Sequence, residues 1–89
     1  MFEIYLTNRA EKVLKLLNLR VKRRVEDVLD DLVHSYFPKK YDIKKLRSVD
    51  DTYRIRIGTY RIIYVVDFKK SHILILSIAQ RKKSYKTPF

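Results

Sequence analysis

A predicted β-hairpin over residues 53–64 constrains the fold of this chain more than any other feature of the sequence. Two runs of aromatic, β-branched and arginine residues flank a Gly58-Thr59 pair, a pattern typical of two strands joined by a tight turn. Glycine at the first central position favours a type II′ turn, because that position requires a positive φ. A two-residue loop also fixes the register of the two strands, and therefore which side chains share a face.

Three arginines fall on one face of the predicted hairpin. The register opposes Arg56 directly to Arg61 and places Arg54 further along the same face. Because like charges directly opposed across a ladder are destabilising, a cluster of this kind indicates a surface that binds a polyanion. The alternative is a solvated sheet face on which the arginines splay apart and bind nothing.

The positive charge of the chain is concentrated in its second half. Residues 1–34 hold seven Lys and Arg against six Asp and Glu, a net charge of +1, whereas residues 35–89 hold fourteen against four, a net charge of +10. This asymmetry favours nucleic acid or an acidic protein as partner, and charge alone does not choose between them. With 89 residues and a hydrophobic fraction of 46%, the chain is expected to form one domain over residues 1–89.

Several classes of chemistry lack the residues that they need. Cysteine is absent, which excludes disulfides, thiolate nucleophiles and cysteine metal sites. A single glycine cannot form a glycine-rich phosphate loop. His34 and His72 are isolated and lack the spacing of metal ligands. We therefore expect a helix-end histidine and a hairpin-loop histidine, and neither a metal nor another cofactor.

The sequence also lacks the features that direct a chain to a membrane. No apolar run approaches the roughly 20 residues of a membrane span. The first residues do not show the basic segment followed by an apolar segment that a signal peptide requires. We therefore expect a cytoplasmic protein with no membrane partner.

The first half of the chain predicts one strand and two helices. Residues 2–6 alternate apolar and polar side chains, as a half-buried strand does. Asn8 and Glu11 form a capping-box pattern that predicts the start of a helix. A break at residues 18–19 separates it from a second helix, whose apolar residues recur with a period of 3.6. Pro38 should end that helix, because the residue before a proline avoids the helical region.

The second half predicts a basic connector and three strands. The connector spans residues 39–51, and the strands span residues 52–57, 60–67 and 72–81. The predicted fold class is α+β, a small, mainly antiparallel four-stranded sheet packed on an N-terminal helical hairpin in the order β-α-α-β-β-β.

Simple alternation predicts two different faces for this sheet. In the last strand, the side chains expected to face the helices are Leu74, Leu76 and Ile78. The opposite face is expected to be basic at one end and aliphatic at the other, and the aliphatic zone either receives a partner or is covered by the C-terminal tail. That zone consists of Ile63, Val65, Ile73 and Ile75.

A basic, tyrosine-bearing group of residues remains as the candidate site. Guanidinium groups bind phosphate bidentately and stabilise transition-state charge, and a tyrosine can stack on a base or move a proton. RNA carries its own nucleophile in the 2′-OH, so its cleavage needs alignment, charge stabilisation and proton transfer but no metal. The group comprises Arg54, Arg56, Arg61, Arg81, Lys82, Lys83 and Tyr85.

The order of these elements, together with three sequence blocks, resembles the RelE/ParE toxin superfamily, with motifs closer to RelE. The blocks are Lys45-Leu46-Arg47, the hairpin over residues 53–64 and the stretch over residues 78–85. RelE proteins are toxins of toxin–antitoxin pairs that cut messenger RNA in the decoding site of the ribosome. The resemblance therefore implies a metal-independent, ribosome-dependent endoribonuclease whose partners are the ribosome, messenger RNA and an acidic, RelB-like antitoxin.

The resemblance also implies roles for individual residues. The catalytic residues would be Arg61, Arg81 and Tyr85. The residues that bind RNA would be Arg54, Arg56, Lys45, Arg47, Lys82 and Lys83. Arg54 and Arg56 stand where RelE enzymes commonly have lysines. Because arginine is a poor proton acceptor, these two would supply electrostatic stabilisation and leave proton transfer to Tyr85.

Two other functions are compatible with the sequence. The first is a ParE-like toxin that inhibits DNA gyrase and has no nuclease activity. The second is a basic RNA-binding module without activity. The arginine cluster and the predicted pairing of Arg81 with Tyr85 favour the endoribonuclease.

Overall fold

The computed structural model describes residues 1–47 and 49–80, which form two helices and five strands. The elements in chain order are β1 (Glu3–Leu6), α1 (Asn8–Leu16), α2 (Leu19–His34), β2 (Asp42–Lys45), β3 (Thr52–Ile57), β4 (Tyr60–Asp67) and β5 (His72–Gln80). The predicted α+β class is confirmed. Neither described helix combines the length and the apolar character needed to cross a bilayer.

The sheet has five strands in the order β1-β5-β4-β3-β2, and the prediction of four strands is wrong. The additional strand, β2, lies within residues 39–51, which were predicted to be a connector. It pairs antiparallel with β3 at the edge of the sheet. Ile43 is its one apolar residue, and charged residues are common on an edge strand because they discourage pairing with another chain. β1 pairs parallel with β5, and the other three pairs are antiparallel.

Side chains that precede each helix fix where the helix begins. The Thr7 hydroxyl accepts a hydrogen bond from the backbone N–H of Ala10 at 3.1 Å, so α1 is capped one residue before the predicted start. Asn18 accepts from the backbone N–H of Val21 at 3.0 Å and caps α2 at the predicted break. α2 ends at His34, which is the helix-end histidine that was expected.

The core lies between the two helices and one face of the sheet. The apolar stripe of α2 contributes Val25, Val28 and Leu32, each at most 1% exposed. The opposing sheet residues that are fully buried or nearly so are Tyr53, Ile55, Ile57, Ile62, Tyr64, Val66, Ile73, Ile75 and Ile78. This single apolar layer packs against one face of the hairpin and leaves its other face away from the helices.

A register shift changes the faces predicted for β5. The shift falls between Ile63 and Tyr64 of β4, which pair with Ser77 and Ile75 respectively. Leu76 is therefore an extra residue in β5, and its carbonyl accepts a hydrogen bond from the Thr7 hydroxyl at 2.9 Å. An extra residue moves every side chain on one side of it to the opposite face.

The faces of Ile73, Leu74 and Ile75 are consequently the reverse of those predicted. Ile73 and Ile75 are fully buried in the core, whereas Leu74 is 37% exposed on the face opposite the helices. The prediction for Ile78, which lies beyond the shift, is confirmed. The apolar zone opposite the helices therefore contains Ile63, Val65 and Leu74.

Candidate functional site

The hairpin has the predicted register and brings three arginines onto one face. Gly58 has a φ of +57°, and Thr59 is not among the described residues with positive φ, which fits a type II′ turn. Arg56 lies directly opposite Arg61, and Arg54 pairs with the residue two positions further along β4. The three side chains form the arginine cluster, on the sheet face opposite α1 and α2.

The guanidinium groups of the arginine cluster are held partly inside the protein. The side chain of Arg54 is 13% exposed and that of Arg56 is 34% exposed. The Nε atoms of Arg56 and Arg61 are buried and have no hydrogen-bond partner among the described residues. Because a buried donor without a partner is costly, these two groups call for an acceptor that the described residues do not supply.

Two charged residues of β2 that were not predicted as site residues flank the cluster. Asp42 lies opposite Arg56, and its carboxylate oxygens are 3.8 Å from Arg54 Nη2 and 3.9 Å from Arg56 Nη1. Lys44 lies opposite Arg54, on the same face. Asp42 thus offsets part of the repulsion among the arginines, and Lys44 adds to the positive charge. No hydrophobic pattern within residues 42–45 marks this strand, because Ile43 is its one apolar residue.

The remaining predicted site residues are not all brought together. Lys45 pairs with Tyr53, so it belongs to the sheet face that carries the helices and not to the face of the arginine cluster. Arg47 follows β2 in an exposed turn. The predicted site residues that lie outside the described residues are Arg81, Lys82, Lys83 and Tyr85.

A pocket of about 140 Å³ lies next to the arginine cluster, at the corner where α2 meets the ends of β2 and β3. Its lining residues are Arg24, Asp27, Val28, Tyr41, Arg56 and Ile57. Arg56 belongs to both the pocket and the cluster, so the two sites share one residue at this corner of the sheet.

Tyr41 forms a fixed wall of this pocket. Its hydroxyl donates a hydrogen bond to Asp31, which also pairs with Lys40 Nζ at 3.0 Å. Burial, followed by the hydrogen bond to Asp31, raises the pKa of Tyr41 to about 12. The same hydrogen bond, followed by that from Lys40, lowers the pKa of Asp31. Tyr41 therefore stays neutral at physiological pH, with its proton directed to Asp31.

Neither histidine belongs to the site. His72 begins β5, as the predicted bounds of the last strand required, and is not the loop residue that was also expected. Its Nε2 is 3.1 Å from a carboxylate oxygen of Glu3 on β1. Register explains this contact, because the parallel pairing places Glu3 beside His72. Among residues 1–47 and 49–80, no three His, Asp or Glu side chains are grouped in a way that could hold a metal ion.

Comparison with known proteins gives the family. A model of the ParE toxin of the type II toxin–antitoxin system parDE matches residues 4–85. A protein of Methanocaldococcus jannaschii that bears the name toxin RelE1 is 35% identical over 88 residues, which are 98% of this chain and 98% of that protein. The chain therefore belongs to the RelE/ParE family of type II toxin–antitoxin toxins.

Solved structures agree with this assignment. A chain of the archaeal RelE–RelB complex from Pyrococcus horikoshii OT3 is 32% identical, with a TM-score of 0.82 over 90% of this chain and 94% of that chain. A chain of the RelB–RelE antitoxin–toxin complex from Methanococcus jannaschii is 26% identical, with a TM-score of 0.77 over 92% and 95%. The family model is named for ParE, whereas these relatives are named for RelE. Membership of the family is therefore compatible with both predicted functions, the endoribonuclease and the gyrase inhibitor.

Proposed function

We propose that this toxin is a ribosome-dependent endoribonuclease that cleaves messenger RNA in the decoding site. The observation that carries the proposal is the arginine cluster, in which buried Nε donors of Arg56 and Arg61 have no acceptor among the described residues. Phosphate oxygens are the acceptors that guanidinium groups bind most specifically. A toxin that acted only by docking on gyrase would not need preorganised anion donors on a rigid sheet.

The proposed reaction uses the RNA as its own nucleophile. The 2′-oxygen attacks the adjacent phosphorus and loses its proton, and the bond from phosphorus to the 5′-oxygen breaks as that oxygen takes up a proton. The products are a 2′,3′-cyclic phosphate and a 5′-hydroxyl. Arg61 would stabilise the charge that develops on the phosphoryl oxygens, and Arg54 and Arg56 would hold the backbone. Arg81 and Tyr85 keep their predicted roles in charge stabilisation and proton transfer.

Primer extension on messenger RNA tests this activity most directly. We expect the added toxin to produce cuts within the codon that occupies the decoding site of translating ribosomes, and no cuts in the same message without ribosomes. A chelation experiment tests whether cleavage needs a metal bound to the toxin. When EDTA is added in excess of any such metal, after the ribosomes have been crosslinked to the message, the extent of a single round of cleavage should not change. Intact message together with inhibition of gyrase supercoiling would instead support the ParE-like function.

We also propose that an acidic antitoxin binds this chain, because the relatives from Pyrococcus horikoshii and Methanococcus jannaschii were crystallised with RelB. The net charge of +10 over residues 35–89 would attract such a partner. The apolar zone of Ile63, Val65 and Leu74 would supply surface for its amphipathic segment.

Isothermal titration with the acidic product of a neighbouring reading frame should show tight binding with a negative heat-capacity change. The affinity should fall as salt is raised, since part of it comes from charge attraction. Micromolar binding that does not respond to salt would contradict the proposed charge complementarity.

A further inference from the structure

The pocket beside the arginine cluster contains two opposite charges that do not pair with each other. Arg24 and Asp27 both line it, yet neither forms an ion pair within 4.0 Å with any described residue. Both lie on α2, one turn apart. A donor and an acceptor are thus presented side by side to whatever enters the pocket.

We propose that this pocket binds a nucleobase, specifically guanine, of the RNA strand whose phosphates the arginine cluster holds. The proposal rests on RNA as the substrate and adds a base-specific subsite to it. In this proposal, Arg24 and Asp27 recognise the base and not the backbone. Both residues belong to the half of the chain that has almost no net charge.

The size and walls of the pocket suit a planar ring. Its volume of about 140 Å³ is close to that of an engineered cavity of ~150 Å³ that accepts benzene, so the pocket takes one ring of a purine and the other ring lies at its mouth. Val28 and Ile57 contribute apolar surface, and Tyr41 contributes an aromatic ring that is fixed through Asp31. Apolar walls with a few placed polar groups are typical of small-ligand sites.

The polar groups match the hydrogen-bonding edges of guanine. Guanine offers acceptors at O6 and N7, which an arginine can bind with two donors. Its N1–H and N2–H groups are donors that a carboxylate such as Asp27 can accept. Adenine presents an amino group where guanine has O6, so it would place a donor against the guanidinium of Arg24 and leave Asp27 unsatisfied.

The geometry places this base next to the phosphate that the cluster would hold. Arg56 lines the pocket and also belongs to the arginine cluster. Arg24 approaches the hairpin turn so closely that its Nη1 atom is 3.4 Å from the position that a Cβ on Gly58 would occupy. A nucleotide could therefore place its base against Arg24 and its phosphate against Arg56.

The mixed charge of the pocket favours a base over a segment of the acidic antitoxin. A carboxylate from such a partner could pair with Arg24 but would meet the carboxylate of Asp27. A nucleobase carries donors and acceptors without net charge, so it satisfies both side chains at once.

Equilibrium binding of RNA heptamers to the full-length toxin tests the proposal. Fluorescence anisotropy would compare heptauridine with the same heptamer carrying a single central G, A or C. We expect the G heptamer to bind about tenfold more tightly than the A heptamer, which is within the discrimination that one good bidentate contact provides. Arg24→Gln and Asp27→Asn should each remove most of this preference and leave the affinity for heptauridine nearly unchanged.

Two matched variants on the same helix serve as controls. Arg23→Gln and Asp30→Asn make the same changes at exposed positions that do not line the pocket, and they should keep the preference for G. Equal affinity of the wild-type protein for the four heptamers would overturn the proposal. It would also be overturned if the Arg24 and Asp27 variants weakened antitoxin binding but not the preference for G.

The binding measurement is independent of cleavage. A preference for G in a toxin that fails to cut ribosome-bound message would uphold the pocket and refute the endoribonuclease. Cleavage without any dependence on Arg24 or Asp27, in either heptamer affinity or choice of codon, would uphold the endoribonuclease and refute the pocket.

Discussion

Replacement of Arg61 by alanine should reduce cleavage of ribosome-bound message by about a hundredfold or more, while the toxin continues to bind ribosomes. A loss of this size corresponds to about 2.7 kcal/mol of transition-state stabilisation, which is typical for removal of one preorganised donor. Arg61 qualifies because it lies on a rigid strand with a buried Nε that has no partner among the described residues. Single-turnover cleavage and ribosome pelleting measure the two quantities separately.

Three comparison variants identify the source of the loss. Lys12→Ala changes an exposed charge on α1 and should leave the rate unchanged. Asp42→Asn removes the carboxylate that contacts Arg54 and Arg56, so it should maintain or raise the affinity for RNA. Tyr85→Phe retains the ring and removes the hydroxyl, and it should lower the rate if proton transfer depends on that group. A wild-type rate in both Arg61→Ala and Arg81→Ala would show that the site is assigned wrongly.

The arginine cluster could be predicted because one local feature determines it. A two-residue turn that needs a positive φ at Gly58 leaves one register for the hairpin, and alternation then places the three arginines together. The negative charge of Asp42, which offsets part of the repulsion among the three arginines, could not be predicted in the same way. Asp42 reaches the cluster from β2, a four-residue edge strand with one apolar residue, whose pairing depends on the backbone of β3 and not on its own hydrophobic pattern.

The pocket beside the cluster was also beyond local sequence patterns. The helical period of α2 places Arg24 and Asp27 outside its apolar stripe, on the side where charged residues are solvated. The pocket exists because the ends of β2 and β3 approach that side of α2 at the corner of the sheet. Such an approach is a property of tertiary packing, and no spacing within the helix encodes it.

The phase of β5 was predicted incorrectly for a physical reason that lies elsewhere in the chain. Strict alternation assigns Leu74 and Leu76 to the core, and nothing in the strand contradicts this. The structure instead inserts Leu76 as an extra residue, and the Thr7 hydroxyl, which also caps α1, donates to its carbonyl. A contact across 69 residues thus accompanies the extra residue that decides which face the strand buries.

Ile75→Ala and Leu74→Ala, two adjacent truncations, should differ greatly in their effect on the free energy of unfolding. Ile75 is 0% exposed, pairs with Leu6 and Tyr64, and lies inside the core. Its truncation should cost about 2–5 kcal/mol, the range measured for large-to-small changes in packed cores. Leu74 is 37% exposed on the opposite face, so its truncation should cost about 0.5 kcal/mol or less.

Urea denaturation of the free toxin measures both free energies, provided that the slope with denaturant is the same for the variants and the wild type. The comparison also tests the register shift itself, because unshifted alternation predicts the opposite order of the two losses. A third variant, Thr7→Val, removes the hydroxyl that caps α1 and contacts Leu76. If Leu74→Ala lowered the free energy of unfolding by the amount expected for Ile75→Ala, β5 would not have the extra residue at Leu76. In that case the apolar zone offered to the antitoxin would contain Ile73 and Ile75 in place of Leu74.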